Sequence, residues 1–258
     1  MEVYFSSTLM WDASEEEIVK YASENGYDGI ELWAQHAEFR NYDIERYREL
    51  CTTYGVKTVV HAKSWDLNFA SLNRGIREAS IKEIKSSIDT AYMCGAEEVT
   101  IHPPRYTLMA SDENLKIGQE SFSEIKNYAD KKGIGISFEI MEHIKKEIVT
   151  DIESLNLFRL NMDFDNVSYT VDLAHCLNED EFWNNINSLD NVSKIHITNK
   201  RGTKLHTPIS EKGDFDIEKI IKKLMVNGVK MVVEGFESGR YYERIKAETE
   251  YLKKVEAI

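Results

Sequence analysis

The stretch CGAEEVTIHP, Cys94–Pro103, holds the folding unit of this chain in miniature. Ahead of it, Ile81, Ile84, Ile88 and Ala91 fall at the three-and-four spacing of one helix face. Gly95 then stands where a left-handed residue turns a helix back toward a sheet. Glu98–His102 reads as a strand, and that strand delivers an imidazole at its far end.

The unit repeats. Gly26, Gly55, Gly133 and Gly228 likewise close a helical segment just before a β-branched run. The expected strands are Val3–Ser6, Gly29–Trp33, Lys57–Ala62, Glu98–His102, Gly135–Glu139, Val167–Asp172, Lys194–Ile197 and Lys230–Glu234. Helical periods lie between them. Ser14 and Glu17 form a capping box ahead of Ile18, and the next helix runs from Asp43 through Tyr47 and Cys51. Later helices are marked by Phe122 and Ile125, by Leu155 and Phe158, by Phe182 to Leu189, by Ile217 to Leu224, and by Ile245 and Leu252. A helix-glycine-strand repeat of roughly 30–40 residues marks βα units. Eight of them in 258 residues close most simply into one (β/α)₈ TIM barrel, a single domain spanning residues 1–258. A doubly wound sheet is the weaker alternative, because no GxGxxG opens the first helix.

Composition narrows the function. A hydrophobic fraction of 42% supports a large core, and 30% charged residues suit a soluble surface. The net charge of −13 disfavours a nucleic-acid partner. No signal peptide or membrane span is expected. Cys51, Cys94 and Cys176 lack disulfide or metal spacing, which points to a cytoplasmic, reduced protein.

The strand ends carry the chemistry. They read Glu31, His61, His102, Glu139, Asp172 with His175, His196 and Glu234, on strands that are otherwise apolar. In a barrel they share one rim. One such histidine is ordinarily a core residue bonded to a carbonyl, but four of them meeting several carboxylates indicate a metal or catalytic site. Glu139, Asp172, His196 and Glu234 make an oxygen-rich set suited to Mn²⁺ or Mg²⁺ and tolerant of Zn²⁺ or Co²⁺. His61, His102, His175 and His206 would hold a second metal or bind substrate. His36 and His143 have no assignment.

The chain also resembles the xylose-isomerase-like TIM-barrel family, which includes sugar and sugar-phosphate isomerases and epimerases and the apurinic endonucleases of the endonuclease IV type. GYDGIEL (Gly26–Leu32), VVHAKSWDLNFASLNRGIREAS (Val59–Ser80), CGAEEVTIHP, ISFE (Ile136–Glu139), VDLAH (Val171–His175) and KIHITN (Lys194–Asn199) carry the resemblance over nearly the whole chain. It implies that Glu139, Asp172, His196 and Glu234 bind the core metal, and that His175 and a basic residue after His196 touch substrate.

Two departures separate the branches. The endonuclease pattern has Asp two residues before the histidine matched by His206, and this chain has Lys204. Pro104 and Ile140 replace the expected Gly and Asn. A lysine where a further zinc needs a carboxylate, with the acidic balance, favours the isomerase branch and one tightly held ion rather than three.

The leading expectation is therefore a metal-dependent isomerase or epimerase of a small carbohydrate or hydroxy-keto acid. Glu139 and Glu234 would be its catalytic acid and base. His175 with Arg201 or Lys204 would orient substrate, and Trp33, with Trp11 and Trp65, would wall the pocket. Lys200, Arg201, Lys204 and Arg105 could meet an anionic group. The alternatives are a zinc phosphodiesterase acting on abasic DNA and a non-catalytic sugar-binding barrel. A homo-oligomer is compatible with each.

Overall fold

Alternation along the strands decides what faces where. In GISFEI, Ile136, Phe138 and Ile140 alternate with Ser137 and Glu139. Phe138 packs on Phe122 and Phe158, which come from the surrounding helices. Ser137 instead shares hydroxyl hydrogen bonds with Thr170 at 2.6 Å and Ser193 at 3.0 Å. Apolar residues thus point outward into a layer between strands and helices, and polar ones point inward.

The computed structural model describes residues 1–258. Its barrel strands are β1 (Val3–Ser6), β2 (Gly29–Trp33), β3 (Lys57–His61), β4 (Glu98–Ile101), β5 (Gly135–Ile140), β6 (Val167–Asp172), β7 (Val192–Ile197) and β10 (Lys230–Val233). A hairpin, β8 (Asn199–Arg201) with β9 (Lys204–Thr207), follows β7. The eight barrel strands are parallel and close in the order β1-β10-β7-β6-β5-β4-β3-β2. The expected (β/α)₈ barrel is present.

The helices are α1 (Glu15–Asn25), α2 (Ala34–Phe39), α3 (Ile44–Tyr54), α4 (Arg74–Cys94), α5 (Asp112–Lys132), α6 (Ile152–Arg159), α7 (Glu179–Ser188), α8 (Ile217–Asn227) and α9 (Glu243–Lys254). Ser14 and Glu17 make the capping box at α1, and Asp43 caps α3. Gly95 ends α4 at φ 77°, a backbone that a Cβ would strain, and donates back to Ala91 and Tyr92. The other four glycines of the repeat adopt the same left-handed geometry. Two elements escaped the sequence reading. α2 is six residues long and lacks a side-chain cap, and the polar β8–β9 hairpin reads as a solvated loop.

The core is annular. One cluster of 61 buried hydrophobic residues fills the space between strands and helices, whereas Tyr4, Val59 and Val232 form a separate group of three inside the barrel. The rest of the interior is polar. Near the N-terminal mouth, Lys194 is fully buried and paired with Glu98, which also accepts from Ser168 at 2.6 Å. A cavity of about 840 Å³ opens beneath this pair. Two of its charges are paired, Lys57 with Glu2 and Glu98 with Lys194, and it lies at the N-terminal mouth, the end of a barrel associated with stability rather than chemistry.

Burial alone would raise the Glu98 carboxyl, but the Lys194 ammonium and the Ser168 hydroxyl bring it down to about 2. A depressed carboxyl stabilises the fold above its unfolded value, and that contribution fades as pH falls from about 4.5 toward 2. Lys194→Met, which strands Glu98, should cost ~3–5 kcal/mol in urea unfolding. Adding Glu98→Gln should recover most of the loss and flatten the acid arm of the stability curve. If both variants unfold alike at every pH, the pair is not what secures this mouth.

Candidate metal centre at the barrel mouth

Register brings the ionisable strand ends together. His196 on β7 pairs with Asp172 on β6 and with Val232 on β10, so Glu234, two residues further, emerges over the same spot. Glu139 is the penultimate residue of β5, two strands away from β7. The ligand atoms of Glu139, Asp172, His196 and Glu234 all lie within 4.8 Å of one another, and all four residues are buried.

Two further groups flank this set and share its members. His61, His102 and Glu139 form one; Asp172, His175 and His206 form the other. Glu139 Oε2 lies 3.2 Å from His102 Nε2 and 3.5 Å from His61 Nε2, while its Oε1 lies 3.4 Å from His196 Nδ1. Glu234 Oε2 is 3.3 Å from that same His196 Nδ1. Asp172 Oδ2 is 3.8 Å from both His175 Nε2 and His206 Nδ1. The structure thus offers three ligand groups where one tight ion was expected, and only the central group has four members.

Several histidines are oriented from behind. The far nitrogen of His196 meets Glu31 at 3.0 Å, and Glu31 also accepts from Thr100 at 3.0 Å. His61 Nδ1 lies 2.8 Å from the Ala62 carbonyl, and His175 Nδ1 lies 3.0 Å from that of Ile140. Each contact leaves the other nitrogen turned inward, the arrangement that presents an imidazole lone pair to a cation. Glu31 is therefore a supporting residue rather than a ligand.

Unsatisfied atoms test whether a metal fits. His61 Nε2, Glu139 Oε2, Asp172 Oδ2, His196 Nδ1 and Glu234 Oε2 are buried with no hydrogen-bond partner. Buried polar atoms are normally paired. Four of these atoms belong to the central group, three of them carboxylate oxygens, and fit a divalent cation, while His61 belongs to the flanking group that shares Glu139.

Charge accounts for the titration. Burial pushes Asp172 up to about 6, with the Glu234 carboxylate adding to the rise. Glu139 and Glu234 feel the same burial, yet the His196 charge holds both well below the usual carboxylate range. Burial opposes a proton on His196, but Glu31, Glu139 and Glu234 raise it well above its ordinary value. His175 is raised to about 9 against burial, chiefly by Asp172 and Glu139.

The mouth opens into a cleft of about 490 Å³. Trp33 stacks on His61 with centroids 3.9 Å apart and planes 7° from parallel. Trp65 and Phe236 continue this wall, and Trp11 packs behind both. Sequence reading missed Phe236 and Glu142. The latter places a partnerless oxygen 3.7 Å from His175 Nε2, on a segment after β5 with no helical or strand period to flag it.

Arg201 and Lys204, expected at the substrate, lie elsewhere. Both are exposed on the hairpin. The Arg201 side chain is held by Glu211 and by the Lys212 carbonyl at 2.7 Å, and neither residue lines the cleft. The hairpin turns them outward while presenting His206 inward. Buried Lys200 is tied to the Cys176 and Leu177 carbonyls. His36 is buried against Trp11 and Ser7, and His143 pairs with Glu181, so both have structural partners.

A parallel eight-stranded barrel with histidines and carboxylates converging at its C-terminal mouth defines a class in which the strand ends do the binding. The chain belongs to the xylose isomerase-like TIM barrel family, whose pattern matches residues 19–256. An uncharacterized protein of Methanocaldococcus jannaschii is 27% identical over 220 residues, covering 82% of this chain and 75% of its own. A probable endonuclease 4 of Staphylococcus saprophyticus is 21% identical over 216 residues, covering 77% and 72%. The crystal structure of a D-tagatose 3-epimerase-like protein superposes with a TM-score of 0.81 at 25% identity, over 99% of this chain and 98% of that one.

The carboxylates around His196 favour its protonated form, and a cation bound there would displace that proton. Binding Mn²⁺ at pH 7 should therefore release about one proton, and affinity should rise up to about tenfold per pH unit between pH 6.5 and 8.5. Calorimetry in buffers of different ionisation enthalpy reads both. An affinity that is flat across this range would remove His196 from the ligand set.

Proposed function

We propose that this chain is a metal-dependent sugar or sugar-phosphate isomerase or epimerase, moving a proton at the carbon next to a carbonyl through an enediolate. One observation carries the reading. Two buried glutamates, Glu139 and Glu234, flank His196 Nδ1 at 3.4 and 3.3 Å and stay ionised in a cleft of sugar size. Family membership and the likeness to the epimerase-like structure support it.

In this reading Glu139, Asp172, His196 and Glu234 hold the ion, with Mn²⁺ or Mg²⁺ best matched to three carboxylates and Zn²⁺ or Co²⁺ tolerated. A divalent ion so held would polarise the substrate carbonyl and balance the negative charge of the enediolate. One glutamate takes the proton from carbon, and the electron pair of the broken C–H bond moves toward the carbonyl oxygen. For epimerisation the other glutamate must first take up a proton from solvent, which it then returns to the opposite face of that carbon. For isomerisation the proton goes back to the neighbouring carbon, while the hydroxyl proton of the enediolate passes to the original carbonyl oxygen. His175, with Nε2 turned inward, would orient a substrate hydroxyl.

The cleft's aromatic wall suits the apolar face of a carbohydrate or hydroxy-keto acid. No helix is long and apolar enough to cross a membrane. All three cysteines are buried and unpaired, which supports a reducing, cytoplasmic setting.

The flanking histidine groups and the endonuclease relative favour a second reading, a zinc phosphodiesterase acting on abasic DNA. Charge weighs against it. Arg105 is the only lysine or arginine lining the cleft, whereas a duplex needs several cations along its phosphates. Metal analysis after dialysis separates the two, with one retained divalent ion per chain expected. Three retained zincs would put the phosphodiesterase first.

With Mn²⁺ present, an active ketose, ketose phosphate or hydroxy-keto acid in heavy water should gain deuterium beside its carbonyl. Chelation should stop the uptake. Glu139→Gln and Glu234→Gln should each lower turnover by more than the ~10²–10⁴-fold typical of losing a general base alone, because each also removes a ligand. Conversion without label would point to a hydride shift and take both glutamates out of the base role. A barrel that binds sugar but converts none would be the non-catalytic alternative.

A further inference from the structure

We propose that Arg105 is a preset anion clamp, selecting substrates whose far end carries a phosphate or carboxylate. This deepens the isomerase or epimerase reading and rests on it. With Arg201 and Lys204 turned outward, Arg105 is the only permanently charged cation in a cleft also lined by Asp66, Glu139, Glu142 and Glu234. It is not a loose surface side chain. Asn68 grips its backbone from both sides, accepting from the Arg105 N–H at 3.0 Å and donating to its carbonyl at 2.9 Å. The two segments are joined by a β-bridge between Arg105 and Glu147 and by the Tyr106 N–H donating to the Lys146 carbonyl at 2.8 Å.

Glu147 fixes the guanidinium. Its side chain is 1% exposed and accepts from Arg105 Nε at 2.5 Å. The two terminal nitrogens of Arg105 make no hydrogen bond to protein, and the side chain is 40% exposed at the cleft. One edge of the guanidinium is thus immobilised by a buried carboxylate, and the outer nitrogens remain free to meet an anion with two parallel donors. Asp66 and Glu142, the acidic residues of the cleft outside the central ligand set, disfavour an anion beside them. A charged substrate is therefore steered with its anionic end at Arg105 and its remainder toward the central carboxylates.

The test uses full-length, Mn²⁺-loaded protein and tryptophan fluorescence, since Trp33 and Trp65 line the same cleft. The probes are a neutral ketose, its terminal phosphate ester and a hydroxy-keto acid of similar length. Wild-type protein should bind at least one charged probe roughly 10–100-fold more tightly than the ketose, the range set by charge-assisted hydrogen bonds. The better charged probe identifies phosphate or carboxylate. Arg105→Met should erase that preference, and Arg105→Lys should restore only part of it, because an ammonium lacks the fork. If stranding Glu147 prevents folding, Arg105→Met with Glu147→Gln replaces the single variant. Equal binding of charged and neutral probes by wild-type protein, or an undiminished preference in the variant, overturns the clamp. Deuterium exchange on the same probes reports separately on the reaction. Exchange without charge preference removes the clamp alone, whereas Arg105-dependent anion preference without exchange removes the isomerase reading alone.

Discussion

The mouth of this barrel is organised by repulsion. Glu31, Glu139, Asp172 and Glu234 bring four carboxyl groups into a region shielded from water, and like charges there cannot all persist without cations beside them. The surrounding histidines supply one answer. His196 and His175 are driven to hold protons, and Asp172 is driven toward its neutral form. A divalent ion is a second answer, placing two charges where the unpaired atoms converge. The two answers exclude each other at His196, so an ion bound there would release a proton as it enters.

The opposite mouth supplies the contrast. Glu98 and Lys194 are as deeply placed, but each charge has its counter-charge and Glu98 has a hydroxyl donor as well. A structural pair ends in satisfied bonds. The upper cluster ends in carboxylates and imidazoles whose inward atoms have no partner. Both networks depend on the annular core, since apolar residues on the outer strand faces free the inner faces for polar side chains. Packing around the barrel, rather than inside it, keeps the histidines and carboxylates on rigid strand ends.

Much of this was legible in the sequence because the relevant signals are local. A glycine just before a β-prone run needs no distant partner to be read, and Gly95 turns the chain as expected. A charged residue closing an apolar strand is equally visible, and Glu139, Asp172, His196 and Glu234, read this way, do lie together at one mouth. What failed depends on facing. Arg201 and Lys204 follow β7 in the chain, but a three-residue strand and a tight turn decide which side chains look inward. No period in NKRGTKLHT predicts that. Glu142 was missed because its meaning lies in its distance to His175. Glu31 was noticed as a strand end, but only its contact with the far side of His196 separates a supporting residue from a ligand.

The cleft has two unlike kinds of lining, and that contrast bears on the proposed substrate. Trp33, Trp65 and Phe236 form a contiguous aromatic cluster, while Glu139, Glu142, His175 and Glu234 supply polar and charged groups. A sugar is built the same way, with C–H bonds on its faces and hydroxyls around its edge. A nucleic-acid backbone would instead ask for cations spread along the entrance, and here Arg105 stands alone. The stacking of Trp33 on His61 joins the two kinds, because the ring that walls the cleft also limits where that imidazole can turn. Shape selection and ligand orientation thus share a residue. A change at Trp33 would therefore act on the orientation of His61 as well as on the shape of the cleft.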